Sequence, residues 1–198
     1  MDKYIQGIFM ILSLVNPLIC GALFSKITAE KPVKGKIADA TRSVLSIMAI
    51  LCLAAVGGSQ LLKAFGISLD AFQTAGGMVL VWMGFHMLHG NSSPTSGQQQ
   101  DSDSSLTPLI LFAASPGTIT GVITLSVAHQ GSGLPVAALV AVVVALAITW
   151  LLMIVVARSG GQKKQGLMHD VTARFMGLIV LAMGVQFMLT GLKSFFTG

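Results

Sequence analysis

Charged residues are scarce in this chain of 198 residues. Asp, Glu, Lys and Arg make up 10% of it, whereas a typical soluble domain is about a quarter charged. Hydrophobic residues make up 54%, and the mean hydropathy is +0.82. Because aromatic residues are few and the basic residues cluster between apolar segments, the net charge of +5 does not indicate nucleic-acid binding. The composition predicts a polytopic, all-α membrane protein without a separate soluble domain.

Carboxylates are missing from the interior of the apolar segments, since Asp70 lies only at a segment boundary. Proton pumps and cation exchangers normally carry carboxylates inside the membrane. Their absence argues against transport of metal cations or strongly basic solutes. His86 is the only histidine within the segments, and its simplest interpretation is a helix-end residue that meets the membrane interface.

Cysteine is equally scarce, with Cys20 and Cys52 in apolar segments and no CxxC motif or metal-ligand spacing. The sequence shows no nucleophile–base pair and no HExxH motif, so it predicts neither an enzyme nor a bound cofactor or metal. A transmembrane thiol–disulfide carrier is an alternative, because such proteins can be built from inverted halves with one cysteine each. The residue 100 positions after Cys20 is Thr120, however, so we expect both cysteines to be dispensable.

Six apolar segments have the length of about 20 residues that a helix needs to cross a bilayer. They are Ile5–Phe24, Val44–Leu62, Ala71–Leu88, Leu106–Val127, Leu134–Val156 and Phe175–Phe196. The first segment is longer than the apolar core of a signal peptide and lacks an A-x-A-like cleavage site, so it is expected to remain as a helix. The stretch His89–Ser105 is rich in Ser, Gln and Gly and is predicted to be a flexible cytoplasmic linker.

The two halves of the chain, 1–88 and 106–198, are predicted to be repeats joined by the linker 89–105. Glycines recur at a spacing of 100 residues, as Gly77 and Gly177 and as Gly84 and Gly184. Because each half has three spans, the halves must insert in opposite directions, which makes an inverted-topology repeat. Glycines seven residues apart share a helix face, so these four are expected to pack spans three and six tightly against the broken helices described next.

Proline interrupts the first and fourth segments at matched positions, as Asn16-Pro17 and Ser115-Pro116. Inside a helix proline removes a donor and clashes with the preceding turn, whereas Asn or Ser followed by Pro is a good helix start. Each segment is therefore predicted to break and restart within the membrane. Unpaired N–H groups at such a restart persist only when they face protein or a cavity. Their matched placement favours a substrate site over two packing kinks.

The candidate substrate-binding residues lie at or near these two breaks and carry no fixed charge. They are Asn16, Pro17, Gln73, Ser115, Pro116, Gly117, Thr118 and Thr120. Such a site suits a small neutral or zwitterionic solute. A carboxylate would lie at a half-helix N-terminus, and carbonyl groups freed at the break would bind the ammonium group.

At these residues the chain resembles the MarC family of bacterial and archaeal inner-membrane proteins, which includes the YhgN-like neutral amino acid transporters. The resemblance covers nearly the whole chain and is carried by Asn16-Pro17, by the segment Phe65–Gly77 and by the segment Ser115–Thr120. It implies secondary transport of small neutral amino acids such as glycine, alanine or serine, by alternating access around a midplane site in the bacterial inner membrane.

Three residues depart from the pattern usual in the family, namely Ile19, Ala22 and Ser115. Because they lie at the proposed site, the substrate could differ from that of other members. The family is also similar to LysE-type exporters, which keeps export of another small solute open as an alternative. The coupling ion, proton or sodium, and a homo-oligomer are open as well.

The distribution of basic residues predicts the orientation of the chain. Five lie in the loop Ser25–Ser43 and four in the loop Ala157–Arg174, against three on the opposite side. The positive-inside rule places these loops in the cytoplasm and both termini in the periplasm. A C-terminal reporter that works only in the periplasm should therefore be active. Activity of a matched reporter that works only in the cytoplasm would contradict this topology.

Overall fold

Helices account for the regular secondary structure of the computed structural model, which describes residues 2–89, 105–128, 135–159 and 167–197. The predicted all-α class is confirmed, whereas most of the predicted linker lies outside the described residues. The eight helices are α1 (Asp2–Val15), α2 (Pro17–Ile27), α3 (Val33–Ala64), α4 (Leu69–Leu88), α5 (Thr107–Ala113), α6 (Pro116–Ala128), α7 (Val136–Arg158) and α8 (Leu167–Thr197).

Within the described ranges, five helical segments are long and apolar enough to cross a membrane. They are Tyr4–Ile27, Val33–Ala64, Thr107–Ala128, Val136–Arg158 and Arg174–Thr197, the first and third of which include the two predicted breaks. The third predicted span, Ala71–Leu88, is helical as α4 but is not among the five. Large apolar side chains such as Leu53, Trp82 and Val155 are more than 60% exposed, as expected of a surface that faces lipid.

Two predicted loops were wrong in part, because helices occupy some of their residues. Helix α3 begins at Val33, inside the predicted loop Ser25–Ser43, and α8 begins at Leu167, inside the predicted loop Ala157–Arg174. Hydropathy measures only the part of a helix that fits the hydrocarbon, so charged turns that continue a helix beyond the membrane are not detected. At the start of α3, Lys31 Nζ forms an ion pair with Asp39 at 2.7 Å.

The segment Phe65–Gly77 makes the turn between α3 and α4 and the first part of α4. Gly66 has a φ of 68°, and the N–H of Ile67 donates to the carbonyl of Leu62, which is the hydrogen bond of a Schellman C-cap. Ser68 then caps α4 by accepting from the N–H of Ala71 at 3.2 Å. The turn is thus closed by hydrogen bonds within the chain, and α4 follows α3 after only four residues.

Helices α4 and α8 are antiparallel and pack so closely that their backbones are in contact. A β-carbon built on Gly77 would lie 2.6 Å from the carbonyl oxygen of Gly184, and one built on Gly84 would lie 2.7 Å from that of Gly177. These glycines therefore pack α4 against α8, and not against the broken helices as expected. The glycines of each helix indicate that a second helix packs closely against them, but the sequence does not show which helix that is.

The broken spans also lie against each other in opposite directions. Helix α1, which precedes the first break, packs on α6, which follows the second, and α2 packs on α5 in the same way. Two antiparallel spans with these contacts have their breaks at a similar depth. The paired contacts of α3 with α6 and of α2 with α7 follow the same two-fold pattern. These pairings support the inverted repeat, which stays a prediction.

Adding one methyl group at Gly77 tests the close contact of α4 with α8. The Gly77→Ala variant should lose about 1–3 kcal/mol of stability, because its β-carbon would press on backbone that cannot move independently. Gly57→Ala is the matched control, since a β-carbon at Gly57 would meet nothing within 4 Å. Thermal unfolding in one detergent should show a lower midpoint for Gly77→Ala only. Equal midpoints for the two variants would contradict this packing.

Candidate substrate site

The first break is a single residue wide and lies at Asn16, which has a left-handed backbone with φ 49° and ψ 79°. Asn adopts this conformation more readily than most residues do. Its side-chain Oδ1 accepts from the N–H of Ile19 at 3.4 Å, so Asn16 caps α2 as predicted, with Pro17 as the first residue of α2. The residue is 2% exposed, and its Nδ2 has no hydrogen-bond partner among the residues that the structure describes.

The break leaves specific backbone groups without helical partners. The N–H of Leu18 and the carbonyl of Leu14 would be bonded to each other in a continuous helix, but neither forms a hydrogen bond within the described chain. The carbonyl of Val15 loses its helical partner because the N–H of Ile19 donates to Asn16 instead. It accepts from the thiol of Cys20, with a sulfur–oxygen distance of 3.1 Å. The first break thus offers one donor and one acceptor to a ligand, beside the amide of Asn16.

The second break lies at Ala114 and Ser115, between α5 and α6. Ser115 Oγ accepts from the N–H of Thr118 at 3.4 Å and lies 3.1 Å from Thr118 Oγ1. Ser115 is 5% exposed and Thr118 is fully buried. The predicted cap is therefore present, with Pro116 as the first residue of α6.

The second break leaves backbone groups at the positions that match those of the first. The N–H of Gly117 and the carbonyls of Ala113 and Ala114 form no hydrogen bond within the described chain. Gly117 lies 99 residues after Leu18, and Ala113 lies 99 residues after Leu14. One N–H and one carbonyl are thus left unpaired at matching positions in each half, whereas the carbonyl of Ala114 lacks the thiol partner that Val15 has. Asn16 and Ser115 are both among the described residues, and no hydrogen bond joins them.

Of the remaining predicted residues, Gly117 and Thr120 lie on the face of α6 that meets α4, and Gln73 lies in α4 itself. A β-carbon on Gly117 would collide with the side chain of Leu80, and one on Gly76 would collide with the side chain of Thr120. Thr120 Oγ1 donates to the carbonyl of Pro116 at 2.9 Å, one turn earlier. Gln73 is buried in α4, one turn before Gly76. Because α4 and α6 are antiparallel, Gln73 lies beside a part of α6 that is nearer to the C-terminal end of that helix than the second break is.

Two residues near the breaks were not predicted to belong to the site. Cys20 binds the carbonyl of Val15 that the first break frees, and Gly76 makes room for Thr120 where α4 crosses α6. Proximity to a proline break could have indicated Cys20, because a small donor there can satisfy a freed carbonyl. Nothing local to the sequence distinguishes Gly76 from its neighbour Gly77, since only the packing decides which helix each glycine faces.

Taken together, the polar groups at the two breaks carry no charge. Each break leaves an N–H group and carbonyl groups unpaired within the described chain, and the buried side chains of Asn16, Ser115 and Thr118 add neutral polar groups. Among the described residues, no three His, Cys, Asp or Glu side chains converge to hold a metal ion. Hydrogen bonding to a neutral or zwitterionic molecule is the chemistry that these groups can provide.

The membrane-length helices and the two interrupted spans define the chain as a multi-pass integral membrane protein. The sequence profile of the MarC family integral membrane proteins matches residues 1–196. The chain therefore belongs to the MarC family.

Relatives in this family extend over nearly the whole chain. The chain is 29% identical to the UPF0056 membrane protein MJ1677 of Methanocaldococcus jannaschii, over 98% of each chain. It is 27% identical to the UPF0056 membrane protein YhcE of Escherichia coli, over 99% of this chain and 93% of the relative. It is 37% identical to the UPF0056 membrane protein PH0214 of Pyrococcus horikoshii, over 72% and 69%. No solved structure matches the chain.

Because Cys20 donates to the carbonyl of Val15, substitutions of Cys20 and Cys52 are expected to differ in their effect on thermal stability. Cys20→Ala should lower the thermal midpoint slightly, because the carbonyl of Val15 would lose its donor, whereas Cys20→Ser keeps a donor and should restore it. Cys52→Ala should leave the midpoint unchanged. Transport by all three variants should be insensitive to added reductant. Loss of activity on reduction of the wild type would instead support the thiol–disulfide alternative.

Proposed function

We propose that this protein is a secondary transporter, and not an enzyme, that moves small neutral amino acids of the glycine, alanine and serine type through a site formed by the two breaks. The observation that carries the proposal is the matched set of unpaired backbone groups, Leu14 and Leu18 in one half and Ala113 and Gly117 in the other. A packing kink has no need to leave the same donor and acceptor positions open twice.

The chemistry of a zwitterion fits these groups on both sides. The N–H of Leu18 or Gly117 lies in the first turn of a half-helix, where the helix dipole favours a carboxylate. The unpaired carbonyls at the ends of α1 and α5 are acceptors for an ammonium group. Because the site contains no fixed charge, a solute with a net charge would leave that charge uncompensated in a medium of low dielectric constant.

Large side chains beside the second break limit the size of the solute. Leu80 lies directly on Gly117, and Leu14 lies directly on Gly121, so large side chains already border the second break. Bulky amino acids would have to displace them. This crowding supports a preference for glycine, alanine and serine. In a bacterium we propose that the protein lies in the inner membrane with both termini in the periplasm.

Equilibrium binding of labelled glycine and alanine tests the proposal, with Asn16→Gly and Ser115→Ala as the informative variants. Glycine accepts the left-handed backbone of residue 16, so Asn16→Gly removes the amide without strain. Each variant should weaken binding about tenfold, the effect of roughly one lost hydrogen bond in a buried site.

Thr149→Val is the control, because that hydroxyl is fully buried but already bonded to the carbonyl of Ala145 in its own helix. It should bind as the wild type does. Normal binding by both break variants at normal folded yield would contradict the shared site. Transport in proteoliposomes, measured in both directions with and without proton or sodium gradients, then gives the direction and the coupling ion.

A further inference from the structure

Thr124 differs from other threonines in the helices of this protein. Several helical threonines donate their hydroxyl to the carbonyl four residues earlier, namely Thr41, Thr74, Thr120, Thr149 and Thr190. This local bond is the usual way for a threonine to satisfy its hydroxyl in an apolar environment. Thr124 is 8% exposed, and its Oγ1 is buried without a hydrogen-bond partner in the described part of the chain. Its hydroxyl is thus oriented away from the acceptor that its own helix offers.

The position of Thr124 is set by the antiparallel packing of α6 on α4. Gly117, Thr120 and Thr124 share one face of α6, and the first two of them meet Leu80 and Gly76 of α4. One further turn on each helix brings Thr124 to the level of Gln73. Gln73 is also 8% exposed. By the helical rise, this level lies about 10 Å beyond Gly117, toward the C-terminal end of α6.

The helix contact that brings Thr124 to the level of Gln73 is not repeated in the other half of the chain. Helix α4 packs on α6, whereas the corresponding helices α8 and α2 make little contact in the part of the chain that the structure describes. The residue that corresponds to Thr124 is Ser25 at the spacing of 99 that relates the two breaks, and the fully buried Phe24 at the spacing of 100 that relates Gly77 to Gly177. The placement of a hydroxyl beside an amide between two packed helices therefore belongs to one half only.

We infer that Thr124 and Gln73 form a second polar station for the transported solute, between α4 and α6 and about 10 Å from the breaks. This inference rests on the proposed function. The hydroxyl and the amide can each donate and accept, so they can bind either end of a small zwitterion as α4 separates from α6. The predicted topology places this station on the periplasmic side of the breaks.

Access to the station can be measured without knowing the solute. Thr124→Cys and Thr149→Cys are introduced into a Cys20→Ser, Cys52→Ala background and treated with a membrane-impermeant methanethiosulfonate, in membrane fragments that are open on both sides. Thr124→Cys should react at least tenfold faster than the Thr149→Cys control, and saturating glycine should slow it several-fold. Equal inertness of the two cysteines would overturn the inference and leave the proposed site at the breaks untouched.

Transport assays distinguish a second polar station on the route of the solute from a part of the main site at the breaks. Thr124→Val should lower the initial rate of labelled glycine uptake about tenfold while equilibrium binding stays within twofold, and Thr124→Ser should restore the rate. Gln73→Leu should slow uptake similarly, and the double variant should be no slower than either single one. Normal uptake by Thr124→Val, or an equal loss of binding and uptake, would overturn the inference.

The cysteine-labelling experiment and the binding and transport experiments also distinguish this inference from the function on which it rests. If the wild type binds no glycine or alanine but Thr124→Cys still reacts rapidly, the amino acid assignment is wrong and the polar route stands. If glycine binds at the breaks but Thr124→Cys is unreactive, the proposed function stands and the second station is wrong.

Discussion

Backbone hydrogen bonding is the constraint on which this structure depends. In the hydrocarbon of a membrane, an N–H or carbonyl group that leaves a helix must find another partner or face a ligand. The two proline breaks create such groups, and the chain satisfies some of them locally, through the amide of Asn16, the hydroxyl of Ser115 and the thiol of Cys20. One N–H and one carbonyl stay unpaired at matching positions in both halves, which is the reason for proposing a ligand there.

Close packing around the breaks depends on small residues. Apolar association gains little inside lipid, so helices approach each other where glycine allows backbone contact. The consecutive glycines Gly76 and Gly77 serve two different helices in this way, since one faces Thr120 of α6 and the other faces α8. A single short segment thereby ties the α4–α8 pair to the second broken span.

Local features of the sequence were predicted well because their causes are local. The breaks at Asn16 and Ser115 follow from proline and its preceding cap, and both caps are present in the structure. The helix that packs against each set of glycines could not be predicted, because the glycines indicate close packing but do not identify the partner helix. The lengths of α3 and α8 were underestimated since their first turns are polar or charged and lie beyond the apolar segments. The unpaired state of Thr124 depends on a rotamer and a neighbouring helix, which no sequence pattern reports.

The proposed function requires that the two breaks bind one solute together. The most direct test is an NMR titration of the protein, labelled with ¹⁵N on leucine and glycine, in which the amide signals of Leu18 and Gly117 are followed as glycine is added. Both N–H groups lack partners in the described part of the chain, so both signals should shift, with the same midpoint, while that of the control Gly57 stays in place. A shift at only one break, two different midpoints or no shift at either amide would contradict a shared site.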